Sequence, residues 1–128
     1  MQESITRVLV VDDAPVVRAY HRQILEAAGY RVEEAVNGME ALEKATMNAF
    51  DLCVVDVNMP VMDGYAFLHQ LRATPEIDGL PALMISTEAS EEDRMRALEA
   101  GANAYLIKPV ARERLRAMAA AMTGREAA

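Results

Sequence analysis

The chain has 128 residues, 52% hydrophobic and 26% charged, with 13 Lys plus Arg against 20 Asp plus Glu and a net charge of −7. That length makes one ordinary domain, able to bury roughly two-thirds of its unfolded surface, and the composition is not that of a disordered chain. The acidic balance argues against nucleic acid and against anionic membrane surfaces, because both depend on neutralising phosphates. A single cysteine, Cys53, excludes an internal disulfide and CxxC chemistry. His21 and His69 are far apart with no HExxH between them, so no transition-metal site is marked. No basic leader with an apolar run opens the chain, and no apolar stretch approaches the ~20 residues that span a bilayer. The expectation is one cytoplasmic domain over residues 1–128, closed by an Ala-rich helix that frays between Ala117 and Ala128.

Along the chain, short apolar runs alternate with helical stripes. Val8-Leu9-Val10-Val11 reads as a strand and stops at Asp12-Asp13. Pro15 suits a first helical turn, where its missing N–H costs nothing. Val17, Tyr20, Ile24 and Ala27 or Ala28 then recur at helical spacing until Gly29. Arg31 to Val36 is a short strand, with Asn37-Gly38 as a turn. Met39, Leu42 and Ala45 mark a second helix. Leu52-Cys53-Val54-Val55 is an apolar run ending at Asp56, and Gly64, Phe67, Leu68 and Leu71 give a third helix. Leu83-Met84-Ile85 ends at Ser86. Ser90 with Asp93 resembles a capping box, and it opens a helix through Met95 and Leu98 to Gly101. Ala104-Tyr105-Leu106-Ile107 ends at Lys108-Pro109, before a last helix with Leu115, Met118, Ala119 and Met122. Five β–α units with strands apolar on both faces predict a doubly wound α/β fold, a parallel sheet covered by helices.

Polar residues fall at the strand ends. In open α/β sheets ligands bind outside the carboxyl ends of the strands. Four of the five runs end in a chemically capable residue: Asp12 and Asp13, Asp56, Ser86, and Lys108; the second run has nothing comparable. With strand order 2-1-3-4-5, the first and third strands are neighbours and three carboxylates converge. Such a cluster repels itself. A hard divalent cation such as Mg²⁺ resolves the repulsion and draws in an anion, while a lysine and a hydroxyl complete an electropositive clamp. A carboxylate can itself accept a phosphoryl group, with catalysis left to positioning and charge neutralisation. Taken singly, each Asp reads equally well as a turn residue or helix cap.

Val10-Val11-Asp12-Asp13, the run from Asp56 to Gly64, Ile85-Ser86 and Tyr105-Leu106-Ile107-Lys108-Pro109 together resemble the response-regulator receiver domain, over nearly the whole chain. Within that family the likeness is to single-domain, CheY-like chemotaxis regulators, with their flavodoxin-like five-stranded sheet in the order 2-1-3-4-5. The resemblance implies that Asp56 is the phosphoacceptor. It implies Mg²⁺ held by Asp13, Asp56 and the backbone carbonyl of Asn58, with Asp12 acting mainly through water. Lys108 would pair with the phosphoryl oxygens, before a cis peptide at Pro109. Ser86 takes the hydroxyl switch position and Tyr105 the aromatic switch position, which turns inward on phosphorylation. Asn58, Glu88 and Tyr105 match the chemotaxis regulators in particular. Thr87 stands where the family usually has Ala or Gly, which puts water access to the phosphoryl group in question.

The implied function is a monomeric switch rather than an enzyme, promoting only its own phosphorylation and dephosphorylation. A CheA-like sensor histidine kinase would phosphorylate it. A target such as a flagellar motor switch protein would bind the face made by the fourth helix, fifth strand and fifth helix. A phosphorelay intermediate or phosphate sink is the alternative within that class. Outside it stands an aspartate-nucleophile phosphatase of the haloacid-dehalogenase type, which uses DxD where this chain has Asp12-Asp13-Ala14. A flavodoxin-like nucleotide binder needs a Gly/Ser/Thr-rich loop that is missing here. His21 and His69 read as packing or surface residues, Cys53 as core, and most of the nine methionines as core filler. Glu91-Glu92-Asp93 is explained by the dipole of the helix it opens.

Overall fold

The computed structural model describes residues 5–125. Its elements alternate without exception: β1 (Arg7–Val11), α1 (Pro15–Ala27), β2 (Arg31–Ala35), α2 (Gly38–Met47), β3 (Leu52–Asp56), α3 (Gly64–Arg72), β4 (Ala82–Ser86), α4 (Glu91–Ala100), β5 (Ala104–Ile107) and α5 (Arg112–Thr123). All neighbouring strands pair in parallel, in the order β2-β1-β3-β4-β5. Side chains alternate across the pleat. Leu9, Val11, Cys53, Val55 and Met84 pack on one face with Ala41, Phe67, Leu71 and Ala97 of the helices there. Val8, Val10, Leu52, Val54, Leu83 and Ile85 pack on the other, against Ile24, Leu25 and Leu115. Each large aliphatic buried this way contributes about 1.5–3 kcal/mol of transfer free energy. Among the described residues no helix is long and apolar enough to cross a membrane.

Three details depart from the sequence reading. Asn37-Gly38 is not a free turn: Asn37 is the N-cap of α2, its side chain accepting the Glu40 amide at 2.8 Å. β2 is not apolar on both faces. It is an edge strand, and Glu33 and Glu34 are held there by Arg7, Arg18 and Arg22. The large apolar residues of α4 do not face the core. Ala97 and Ala100 make the packing face, while Met95 and Leu98 are 48% and 36% exposed. At the start of α4, Ser90 accepts the Asp93 amide as a capping box requires. The Asp93 side chain is too short to reach back to the cap amide and bonds the Ser90 hydroxyl instead. Met59 and Met84 are buried and Met62, Met118 and Met122 half-buried, but Met39, Met47 and Met95 are exposed. Cys53 lies wholly inside β3, and burial pushes its thiol up to about 12. His69 is exposed on α3.

Candidate functional site

The carboxyl ends of β1, β3, β4 and β5 meet where the sequence places its polar residues. β1 ends against β2, with the Asp12 amide bonded to the Ala35 carbonyl at 3.1 Å. Asp12 then turns the chain into α1. Its Oδ1 accepts the Ala14 amide at 2.9 Å, an Asx-type turn, and Pro15 follows at the first helical position. Asp12 is thereby buried while Asp13 is exposed. β3 delivers Asp56, also buried. One oxygen from each of Asp12, Asp13 and Asp56 lies within 4.8 Å of the others.

Lys108, just beyond β5, is anchored through its own amide to the Ser86 carbonyl at 2.8 Å. Its ammonium donates to Asp56 Oδ1 at 2.7 Å and Asp12 Oδ2 at 3.0 Å. The Lys108–Pro109 peptide is cis, as expected. Desolvation pushes the Asp56 carboxyl above the usual range and Asp12 and Asp13 add to this, while the Lys108 hydrogen bond opposes it. Burial alone would lower the Lys108 ammonium, but its bonds to Asp56 and Asp12 leave it raised. The centre therefore holds three acids against one lysine. Such a set of hard oxygen donors fits a cation that takes carboxylates, carbonyls and water. Asn58, two residues past Asp56, is exposed, and its carbonyl accepts no hydrogen bond among the described residues.

The close approach of α3 behind Asp56 explains Asp63-Gly64. Asp63 caps α3 by accepting the Ala66 amide. A Cβ on Gly64 would lie 2.5 Å from the Asp56 carbonyl oxygen, so only glycine lets this helix start against the acceptor strand.

Ser86 is buried at the end of β4, and its hydroxyl oxygen accepts the Glu88 amide at 3.0 Å. Thr87 and Glu88 are exposed beyond it. Thr87 lines a cleft of about 270 Å³ with Val17, Tyr20, His21, Lys108 and Val110. His21 is buried in its wall, and desolvation lowers its imidazole, against the pull of Asp12. Tyr105 is half-buried against the α3–α4 side of the core. Its hydroxyl donates to the Glu88 carbonyl at 2.7 Å, so the ring is already tied to the loop after β4. The structure thus brings Asp12, Asp13, Asp56 and Lys108 into one cluster, joins Ser86 to it through the Lys108 main chain, and sets Tyr105 one loop away.

Two residues of α1 have roles at the site that the sequence does not assign, Tyr20 reading there only as part of the helical stripe. Arg18 Nη1 donates to the Asp12 carbonyl at 2.8 Å, and the Tyr20 hydroxyl donates to the Val110 carbonyl at 3.0 Å. Both donate to main-chain or sequence-distant partners, so the only signal in the sequence was their place one to two turns past Asp12-Asp13.

Comparison with known proteins agrees with this geometry. The Vibrio cholerae chemotaxis protein CheY4 superposes with a TM-score of 0.88 at 38% identity, over 93% of this chain and 99% of that one. The receiver domain of the Pseudomonas aeruginosa sensor histidine kinase PA1611, solved with a magnesium ion coordinated in its active-site cleft, has a TM-score of 0.88 at 30% identity, over 94% and 99%. Among curated proteins, the gliding motility regulatory protein of Myxococcus xanthus is 45% identical over 102 residues, 80% of this chain and 13% of that protein. The transcriptional regulatory protein PrrA of Mycobacterium tuberculosis is 46% identical over 103 residues, again 80% of this chain, and the chain spans 43% of its length. Residues 8–120 match the Response regulator receiver domain, and since that span runs from β1 into α5 and holds every strand-end residue described above, the chain belongs to this family of two-component signalling domains.

Proposed function

We propose that Asp56 accepts a phosphoryl group from a histidine kinase and that the domain works as a cytoplasmic, monomeric switch. The observation that carries this is the Lys108 ammonium bridging Asp56 and Asp12 while Asp13 stays open to solvent. In the transfer, an Asp56 carboxylate oxygen forms a bond to phosphorus as the bond to the donor's leaving group breaks and that group keeps the electron pair. Lys108 faces the developing negative charge. Asp12, Asp13, Asp56 and the Asn58 carbonyl would hold Mg²⁺, which when bound supplies charge neutralisation for the phosphoryl oxygens. Acetyl phosphate with Mg²⁺ should label the parent stoichiometrically and leave Asp56→Asn unlabelled; undiminished label elsewhere in that variant overturns the assignment.

Ser86 and Tyr105 form the switch in this reading. A phosphoryl group that draws the Ser86 hydroxyl from the Glu88 amide loosens the loop whose Glu88 carbonyl holds Tyr105, a population shift of an existing element. Met95, Leu98 and Ile107 are exposed on α4 and β5, and with α5 they form the face proposed to bind the target. Likeness to CheY4 supports a CheA-like kinase and a flagellar motor switch protein as partners. Purified motor switch protein should bind more tightly once beryllofluoride is added; equal binding with and without it removes this target. Asn58 and Glu88 would orient the water that removes the phosphoryl group. Thr87, stiff at χ1, crowds the rim, so Thr87→Ala should lose phosphate faster, by about tenfold or less. A slower decay would give the Thr87 hydroxyl a helping role instead.

A further inference from the structure

We propose that Arg18 is a positioning residue for the cation site, orienting Asp13 without touching it; this rests on the reading that Asp12, Asp13 and Asp56 hold Mg²⁺. Asp12, the residue just after β1, still joins the sheet through its amide, and its carbonyl lies past the ladder. Arg18 Nη1 donates to that carbonyl at 2.8 Å. Its Nε donates to Glu34 Oε1 of β2 at 2.5 Å. The other Glu34 oxygen is held by Arg22, and Lys44 bonds the Glu34 main-chain carbonyl. The hydrogen bond from Arg22, and then that from Arg18, hold the Glu34 carboxyl below the usual range, so the anchor keeps its charge. The Arg18 side chain is only 16% exposed, so this is a packed brace rather than a loose surface pair.

The consequence follows from peptide geometry. The Asp12 carbonyl, the Asp13 amide and the Asp13 Cα share one rigid plane. Gripping the oxygen at one edge of that plane fixes the Asp13 Cα at the other. Asp13 is the exposed member of the cluster, and no hydrogen bond to its own side chain holds it among the described residues. Asp12 has its own restraints from Ala14 and Lys108. Asp13 depends on its backbone, and beyond the Asp12 amide, which bonds the Ala35 carbonyl, Arg18 ties that backbone to the β2 edge. A guanidinium suits the task because its planar fork reaches a carbonyl and a carboxylate at once.

Positioning and simple charge predict opposite signs. Arg18→Met removes a positive charge beside an acidic cluster, so charge alone would tighten Mg²⁺ binding. If Arg18 positions Asp13, the same change weakens it, by about tenfold, the low end for groups that orient metal ligands from outside the coordination sphere. Arg18→Lys keeps the charge but not the fork, and should weaken binding by an intermediate factor of about three, whereas charge alone predicts no change. Titrating Mg²⁺ into parent, Met and Lys proteins, with amide NMR shifts as readout and 0.5 M KCl to screen surface charge, decides between them. Weaker protection of the Ala14 amide, which Asp12 Oδ1 holds, seen in the Met variant as faster hydrogen exchange without Mg²⁺, is expected alongside and needs no metal. Unchanged or tighter Mg²⁺ binding in the Met variant overturns the role of Arg18 alone. A parent that binds no Mg²⁺ overturns the cation site itself and the Arg18 proposal with it. If the Met variant does not fold, the Lys variant carries the test: affinity equal to the parent's overturns the proposal.

Discussion

The two ends of the sheet solve their polar problems in opposite ways. At the amino ends of β4 and β5, Arg72 of α3 makes five hydrogen bonds: two to the Gly101 carbonyl and one each to the Asp78 carbonyl, the Leu80 carbonyl and Asn103 Oδ1. Asn103 passes the support on by accepting the Ala82 amide at the start of β4. The fit is close enough that a Cβ on Gly101, which sits at φ +120°, would lie 2.7 Å from Arg72 Cγ. One cation there is spread over neutral acceptors, and its hydrogen-bonding capacity of five N–H donors is used in full. At the carboxyl ends, three carboxylates share one ammonium. The first end is complete within the fold. The second is left with an excess of negative charge that only a ligand can balance, and that is what separates a structural arginine from a binding site in the same small domain.

Removing Arg72 should give the largest effect. Arg72→Met strands the carbonyls of Gly101, Asp78 and Leu80 together, and hydrogen bonds to charged groups contribute about 1.5–3 kcal/mol each, though not additively. A loss of about 3 kcal/mol in urea unfolding is expected, with Mg²⁺ affinity of the folded protein unchanged. A loss below about 1 kcal/mol would mean that water replaces these bonds and that the two ends differ less than the geometry says.

At the other end, removing charge should stabilise, but only where the carboxylate carries no structural bond. Asp13→Ala relieves repulsion at an exposed position and should raise metal-free stability by about 0.5–1 kcal/mol. Asp12→Ala loses the Ala14 amide and one Lys108 bond and should lower it by about 1–2 kcal/mol. Mg²⁺ binding should nonetheless weaken more in Asp13→Ala. Melting curves with and without Mg²⁺ check both signs, and a metal-free gain in both variants would show that repulsion outweighs the Asp12 bonds. The same imbalance has a pH signature. Because the Asp56 carboxyl is raised in the fold, the folded state holds its proton longer than the unfolded state. Metal-free stability therefore falls as pH climbs from the ordinary Asp range to the raised value, and Asp56→Asn should flatten that fall. Glu34, lowered by its arginines, works the other way and in a more acid window. Its contribution is present above the ordinary Glu range and is lost as pH drops through the lowered value.

The carboxyl-end residues were legible because each one interrupts an apolar run. Asp12, Asp56, Ser86 and Lys108 stand at strand ends where a core residue would otherwise continue, and the alternation of five runs with five helices fixes which ends meet. Arg72 and Arg18 were not legible, since both bond main-chain carbonyls, and a carbonyl has no letter in a sequence. Each reads as one more charge on the polar face of a helix. The α4 stripe misled for a related reason. Met95 and Leu98 have helical spacing, but Ala97 and Ala100 let the helix approach the sheet more closely, and that choice depends on the space between elements. Asn37 reads as a turn residue in the sequence because cap and turn use the same side-chain chemistry, and only the amide of Glu40 distinguishes them.

The smallest expected effect concerns strain, which is also unevenly placed. Among the described residues, Val61 is the one non-glycine residue with positive φ, at 70°, and it lies in the loop between Asn58 and Asp63 that follows Asp56 in the chain. The Met62 amide bonds the Pro60 carbonyl at 2.7 Å across it, a three-residue turn of the rarer, strained hand. A β-branched residue in this region is a genuine outlier, and the left-handed region costs an L-residue about 1–2 kcal/mol. Burial does not compensate, since Val61 is 79% exposed. What holds it is the loop on either side: the Met62 carbonyl accepts the Gly38 amide at 2.9 Å, and the Gly64 amide bonds the Val57 carbonyl at 2.8 Å. Val61→Gly removes the steric cost but gives the unfolded chain about 0.4–1 kcal/mol of extra conformational entropy. The net expectation is a gain of about 0.5–1 kcal/mol in urea unfolding. The flanking hydrogen bonds survive the change, so Mg²⁺ affinity should stay within about twofold. A variant less stable than the parent would show that the loop pays no strain for its shape, whereas a stable variant with much weaker Mg²⁺ binding would show that the strain itself helps to aim this loop at the cation site.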